Sequence, residues 1–415
     1  MTLSGRGIGP VIAALGAIQI IGCGSLYYAF AILSPQIATE FQVSKAVLFA
    51  ILSTGLLLGG MTAPAFGHWM HRFGAPTIMS AGSALMALLL VMLAFAPGIR
   101  AFAALLVLIE ALSFMVLYDA AFVTLARAAP GNTRAAITRL TLVAGFASTI
   151  FWPLTGWLGE VMGWRNVYLV YAGLHLAIAL PLHLWILGRR HPAPASGDRP
   201  TQDDMAMGWR LSAGSVARQA FWLLGIGFAL TGMAIAAISV HMVPVLLDRG
   251  MGEAACLVAM AMGPAQVLIR FIDATVWRRR HPVMVALIAA GAILLGLAML
   301  LLPGSGLLPA LGFALLIGTG GGLSSIVRGS VPVVLFGTVG LGLRLGQLAA
   351  MRTVLGAAAP ALFAFAAAGL GIAATLGVTL AVAAGGFAVM LWLWLELRVA
   401  GTPVRPAAAA PPPTS

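Results

Sequence analysis

Apolar residues along this chain are gathered into long runs, and polar residues are confined to the short stretches between them. An α-helix advances about 1.5 Å per residue, so roughly 20 consecutive apolar residues cross a hydrocarbon layer of about 30 Å. Twelve runs reach that length: 10–33, 45–66, 76–97, 101–125, 135–158, 165–187, 219–246, 254–276, 282–302, 307–330, 346–368 and 372–396. The run from Pro10 continues past Ala31 without a cleavage site, too long for a signal-peptide core, so it is read as the first spanning helix. The connectors are short except one. Residues 189–216 are polar and rich in Pro, Gly and Asp, which predicts a solvated linker between two bundles, 1–188 and 217–398. The tail 399–415, ending Ala-Pro-Pro-Pro-Thr-Ser, is low-complexity and expected to be disordered.

Basic residues orient the pattern. An even number of crossings places both termini on one side. If that side is cytoplasmic, sixteen arginines fall inside: Arg6, Arg72, Arg127, Arg134, Arg139, Arg189, Arg190, Arg199, Arg210, Arg218, Arg278, Arg279, Arg280, Arg344, Arg398 and Arg405. Four basic residues fall outside: Lys45, Arg100, Arg165 and Arg249. This is a positive-inside bias, and it supports both the orientation and the even count.

The two bundles repeat. Pro35 and Pro244 each close an apolar run ahead of a polar loop, 209 residues apart (244 minus 35), and Pro153 and Pro360 are 207 apart. The loops Gly67–Pro76 and 276–285 share the first offset. A duplicated six-helix unit follows, the arrangement in which a solute site lies at mid-membrane between the repeats.

Composition narrows the class. Hydrophobic residues make up 61% and charged residues 8%, with a mean hydropathy of +1.03. A water-facing surface cannot be built from that, but a lipid-facing one can. The net charge of +12 belongs to scattered arginines without a basic face or aromatic platform, so nucleic acid is excluded as a partner. Cys23 and Cys256 form no metal-spaced motif and no disulfide framework. There is no Gly-rich phosphate loop with Lys and no Ser/His/Asp constellation outside the spans, so neither ATP drive nor an enzyme activity is expected, and no cofactor or metal. One Lys against twenty-two Arg fits a GC-rich bacterial genome. The expectation is a multi-pass monomer in the bacterial inner membrane with both termini in the cytoplasm.

The connector after the second run reads Gly67-His68-Trp69-Met70-His71-Arg72-Phe73-Gly74. It resembles the gating-loop signature of the major facilitator superfamily, Gly-x-x-x-Asp-Arg-x-Gly. Gly67, Arg72 and Gly74 match, and His71 stands where that family has the acid. The resemblance implies an all-α membrane fold of twelve helices in a 6+6 pseudo-two-fold arrangement. It also implies alternating access, with helices one, four, seven and ten lining the pathway. The stretch 27–60 is similar to the monocarboxylate-transporter-like branch, as is Arg270 in helix eight, although the lysine and acidic-Trp motif of that branch are missing. Helices four to seven also look like arsenical-efflux carriers.

An ionisable side chain at mid-membrane is costly unless paired or hydrated, so each is a functional candidate. Helix four carries Glu110 and Asp119, nine residues apart and therefore on opposite faces of one continuous helix. Repeat symmetry sets Tyr118 and Asp119 opposite Arg328, predicting an Asp119–Arg328 pair that either couples proton or substrate binding to rocking or holds one state closed. Either Asp119 or Glu110 would carry the proton. Arg270 and Arg352 add positive charge that favours an anionic substrate. For Arg270 the local alternative is a helical ion pair with Asp273, and for Arg352, placed one turn into helix eleven, an excursion to the interface. His241 is a candidate proton carrier or a structural hydrogen-bonding group, and His175 and His183 are expected to pack outside the pathway.

The leading expectation is thus a secondary transporter of a small solute, an organic anion, coupled to a proton or counter-solute. Efflux of drugs or arsenicals is the alternative within that class, and a non-transporting sensor or receptor on the same scaffold is the alternative outside it. A channel is disfavoured by the sparse polar positions.

Overall fold

The structure is a computed structural model that describes residues 7–189, 214–278, 280–302 and 306–400. The expected linker 189–216 and tail 399–415 lie almost wholly outside these residues, as do Arg6, Arg190, Arg199, Arg210, Arg279 and Arg405. Among the described residues every regular element is helical.

Among the described residues eleven stretches are long and apolar enough to cross a membrane. One of them, Thr133–Gly188, has 56 residues, about 84 Å of helix, nearly three bilayer cores. It is broken at Gly163, whose φ of 76° and ψ of 159° no helix accommodates, so it makes two crossings. The twelve helices are α1 Gly9–Phe41, α2 Lys45–Phe73, α3 Ala75–Ala94, α4 Ile99–Ala128, α5 133–162, α6 164–188, α7 Ser215–Asp248, α8 Ala254–Thr275, α9 Pro282–Leu301, α10 Leu307–Phe336, α11 Leu341–Leu370 and α12 Ile372–Val399. We call the end where α1 begins and the α2–α3 turn lies the linker end.

Boundaries differ from the apolar runs where local chemistry extends a helix. Pro35 does not end α1, because Ser34 Oγ donates to the Ala31 carbonyl that the proline leaves unpaired (2.9 Å), and the helix runs on to Phe41. Pro244 likewise lies inside α7. The helix α2 continues to Phe73, so Gly67–Phe73 is helical and the expected gating loop shrinks to a turn at Gly74 (φ 87°).

The first bundle has one continuous apolar core, which also takes in Leu341, Leu345 and Ala349 of α11. The second bundle has two cores, one toward each end. On α10 they part between Ile317 and Leu323, across the run Gly318-Thr319-Gly320-Gly321-Gly322. At the end opposite the linker, Arg165 clasps the first bundle. Its Nη2 and Nε donate to Glu40 Oε1 (2.6 and 2.9 Å), and its terminal nitrogens cap the Ala94 and Ala96 carbonyls (2.6 and 3.0 Å). Trp164 Nε1 donates to Glu40 Oε2 (2.6 Å). The pair is partly exposed, so an Arg165→Ala protein is expected to lose only about 1–2 kcal/mol, mostly from the uncapped carbonyls. The check is a fall of a few degrees in the unfolding temperature of detergent-solubilised protein, and an unchanged temperature rejects it.

Candidate functional site

The two bundles meet at a break in α4. Its first segment ends at Leu112, a 3₁₀ turn covers Ser113–Met115, and Leu117 is extended (ψ −171°) before a second segment starts at Tyr118. The Val116 carbonyl loses its helical partner there, and buried Gln19 of α1 donates its Nε2 to it (2.8 Å). Asp119 thereby falls in the first turn of a new helix, where unpaired backbone N–H groups favour a carboxylate. Discontinuous helices of this kind form solute and ion sites in transporters. The break also removes the premise that Glu110 and Asp119 share one straight helix, so their relative facing cannot be read from a single helical wheel.

Asp119 pairs with Arg352 of α11 (Nη2 to Oδ2, 3.8 Å), with side-chain exposures of 9% and 22%. Both lie near mid-membrane, nine residues from the end of α4 and eleven from the start of α11, about 14 and 16 Å in from the linker end. Arg352 is therefore three turns into its helix and does not reach the interface, because α11 begins at Leu341 rather than 346. Its stem lies over Gly232 of α7.

Arg328 of α10 has a different partner from the one expected. Its guanidinium stands 4.6 Å from the Tyr118 ring and 5.9 Å from Phe122, and its Nε is buried without a hydrogen-bond acceptor. It forms no ion pair among the described residues. The two helices do face each other, with the Phe122 ring against Gly329, but the carboxylate turns to α11. Arg270, buried, donates its Nη1 to the Thr141 carbonyl of α5 (3.3 Å) and does not pair with Asp273. Gly145 leaves room for that guanidinium, where a methyl group would collide with Nη1.

Asp273 instead crosses to the other bundle. Arg134 Nη2 lies 3.6 Å from its Oδ1, and Thr138 Oγ1 donates to Oδ2 (3.1 Å). Arg134 also donates to the carbonyls of Trp277 (3.3 Å) and Arg280. This α5–α8 latch was not legible in the sequence, where Arg134 counted as an orienting charge and Asp273 as a local partner. Across the molecule α2 and α11 meet backbone to backbone. A Cβ on Gly346 would lie 2.5 Å from the Ala63 carbonyl oxygen, and one on Gly67 would strike that of Gly342. Both seams close the linker end in this conformation. Exposed His71 and Arg72 sit at the end of α2, Arg72 over the Phe73 ring (5.2 Å).

Other candidates stand apart from this cluster. His241 donates Nδ1–H to the Ala237 carbonyl (2.9 Å) and stacks on Phe363 (4.6 Å), toward the opposite end of α7. Glu110 is 3% exposed against Gly55 and Gly59 of α2, and among the described residues it forms no ion pair and leaves Oε1 without a partner. His175 and His183 of α6 are buried, bound to Ser25 and Ser83 (2.9 and 2.8 Å). Ser25 gives its proton to the Ile21 carbonyl, so His175 Nε2 is the donor.

A model described as Major Facilitator Superfamily matches residues 15–360. The chain belongs to that superfamily. Within it the chain is similar to the monocarboxylate-transporter branch. It is 28% identical to mouse (Mus musculus) monocarboxylate transporter 11 over 256 residues, 60% of this chain and 55% of that protein. The human (Homo sapiens) counterpart is 29% identical over 264 residues, 61% and 53% of the two chains. The chain thus matches about half the length of these relatives. Among solved folds, this superfamily member is similar to the transporter FucP in the outward conformation, with a TM-score of 0.70 at 15% identity, covering 92% of this chain and 98% of that one. The human organic anion transporter MFSD10 gives 0.67 at 18%, with the same coverage. The twelve-helix 6+6 fold is that of the family, and the chain is a multi-pass membrane protein.

Proposed function

We propose that this transporter moves a small organic anion across the bacterial inner membrane by alternating access, coupled to a proton, with the linker end and both termini in the cytoplasm. The observation that carries the reading is Arg328: a half-buried arginine at the meeting of the two bundles, its guanidinium over two aromatic rings, its Nε buried without an acceptor, and no carboxylate paired with it among the described residues. Together with Arg270 it leaves the mid-membrane pathway positive after Asp119 and Arg352 cancel, and a carboxylate or comparable anion matches the guanidinium fork. The relatives and folds named above include monocarboxylate and organic-anion transporters, which agrees with this class.

The proton is assigned to Glu110. Asp119 has a cation beside it, whereas Glu110 is buried against Gly55 and Gly59 of α2 with no cation paired to it among the described residues, the setting in which a carboxyl group is accommodated with its proton. Arsenical efflux draws no support from the thiols, since Cys256 of α8 is exposed, Cys23 of α1 is half-buried, and each stands on a different bundle.

The test is uptake of a panel of carboxylates, drugs and arsenite into proteoliposomes, with and without an inward proton gradient. Wild-type protein is expected to accumulate at least one carboxylate. Arg328→Gln is expected to weaken its apparent affinity by about 10–100-fold, the loss of a charge-assisted contact. Glu110→Gln is expected to retain exchange of substrate for substrate while losing acceleration by the gradient. Transport of neutral or cationic compounds alone, or an Arg328→Gln protein with unchanged affinity, rejects the anion reading.

A further inference from the structure

Two openings lie one above the other along the α5–α8 seam. The first, at the linker end, is lined by Arg134, Thr138 and Arg139 of α5 with Asp273, Ala274 and Arg278 of α8 and its following turn, and has a cavity volume of about 50 Å³. Its charge is three guanidiniums against one carboxylate. Arg134 and Asp273 pair with each other, but Arg139 and Arg278 are exposed and have no hydrogen bond or ion pair among the described residues. The second opening begins one turn deeper in the membrane, at Leu142 on α5 and Phe271 on α8, and runs toward Thr149 and Gly263. Its larger side chains, Leu142, Phe146, Leu268 and Phe271, are apolar, and the last three are among the exposed apolar groups of the molecule.

We propose that this seam holds an anionic phospholipid, its phosphate between Arg139 and Arg278 and an acyl chain in the groove against Phe146, Leu268 and Phe271. The order of the two parts is the argument. Free cations stand at the depth of a headgroup, and an apolar trough follows at the depth of the chains, on the same pair of helices. A soluble phosphate compound would use the first part and leave the second unexplained, whereas one lipid fills both. Because α5 belongs to one bundle and α8 to the other, the lipid would span the latch made by Arg134 and Asp273. It would bind this closed arrangement better than one in which the seam is parted, and so bias the conformational equilibrium. The proposal does not depend on which solute is carried.

Native mass spectrometry of the detergent-purified full chain tests it, with phosphatidylglycerol, phosphatidylethanolamine and glycerol phosphate as separate probes. Phosphatidylglycerol is expected to bind more tightly than the zwitterionic lipid. In an Arg139→Gln/Arg278→Gln protein its affinity should fall by about twenty-fold, and in the Arg139→Lys/Arg278→Lys protein it should persist. Leu268→Gln should weaken phosphatidylglycerol binding. Unaltered binding by the double Gln variant overturns the proposal, as does equal binding of the two lipids. Glycerol phosphate binding as tightly as phosphatidylglycerol would make the site one for a soluble anion and overturn the lipid assignment. The two arginines are exposed and make no hydrogen bond or ion pair among the described residues, so loss of binding with an unchanged unfolding temperature reads the site itself.

Discussion

An Asp119→Asn protein is expected to insert normally and transport at least about thirty-fold more slowly than wild type. The amide keeps the shape of the side chain and removes its charge, leaving Arg352 unpaired. Breaking a buried pair from one side costs about 3–5 kcal/mol, and the 22% exposure of Arg352 lowers that to about 2–3 kcal/mol. The pair joins α4 of one bundle to α11 of the other, so this energy is specific to conformations in which those helices approach. Its loss shifts the balance between states by a comparable amount, about 30–150-fold. The decisive measurement is a double-mutant cycle with Arg352→Gln, in which a pair acting as a unit gives a coupling energy of about 0.5–3 kcal/mol. Strictly additive losses, or wild-type rates in the Asn protein, would show that the two residues work separately.

The fold was legible because hydrophobic length is a coarse and robust signal. Twelve runs of spanning length became twelve crossings, and even the division of Thr133–Gly188 at Gly163 appears in the sequence as a gap between 158 and 165. Of the site, the residue types and their depth were legible and the pairings were not. Repeat symmetry correctly set α4 against α10, as Phe122 on Gly329 shows, but symmetry places backbones and not side-chain tips. Asp119 reaches Arg352 because α4 breaks at 113–117, and nothing in an unbroken apolar run announces a break that depends on Gln19 from another helix. The same limit hid the latch. Arg270 and Asp273 are correctly spaced for a helical pair, yet each found a partner on α5. Spacing reports what neighbours on one helix can do, and tertiary contacts across the seam outbid it.

The second large effect concerns the α2–α11 seam, which is held by absence of side chains. Adding a methyl group at Gly346 places a carbon 2.5 Å from the Ala63 carbonyl oxygen, nearly an ångström inside van der Waals contact. The obstructing atom is backbone, so no rotamer change relieves it and the helices must separate. At Gly67 the obstruction is again backbone, the Gly342 carbonyl. Overpacking costs about 1–3 kcal/mol per site, so a Gly67→Ala/Gly346→Ala protein should lose about 2–6 kcal/mol of the closed linker end relative to the open one. That is enough to make the open arrangement the populated one if the two states lie within a few kcal/mol. Spin labels on exposed His71→Cys and Leu343→Cys, in a protein with Cys23→Ser and Cys256→Ser, report the distance across this seam. The expected result is a shift to a longer distance together with loss of net transport, because a carrier that cannot close one end cannot alternate. A distance distribution identical to that of the glycine protein, in a variant that still transports, would mean that the backbone contact between α2 and α11 is not what closes the linker end. The α5–α8 latch of Arg134 and Asp273 would then have to hold that end shut by itself.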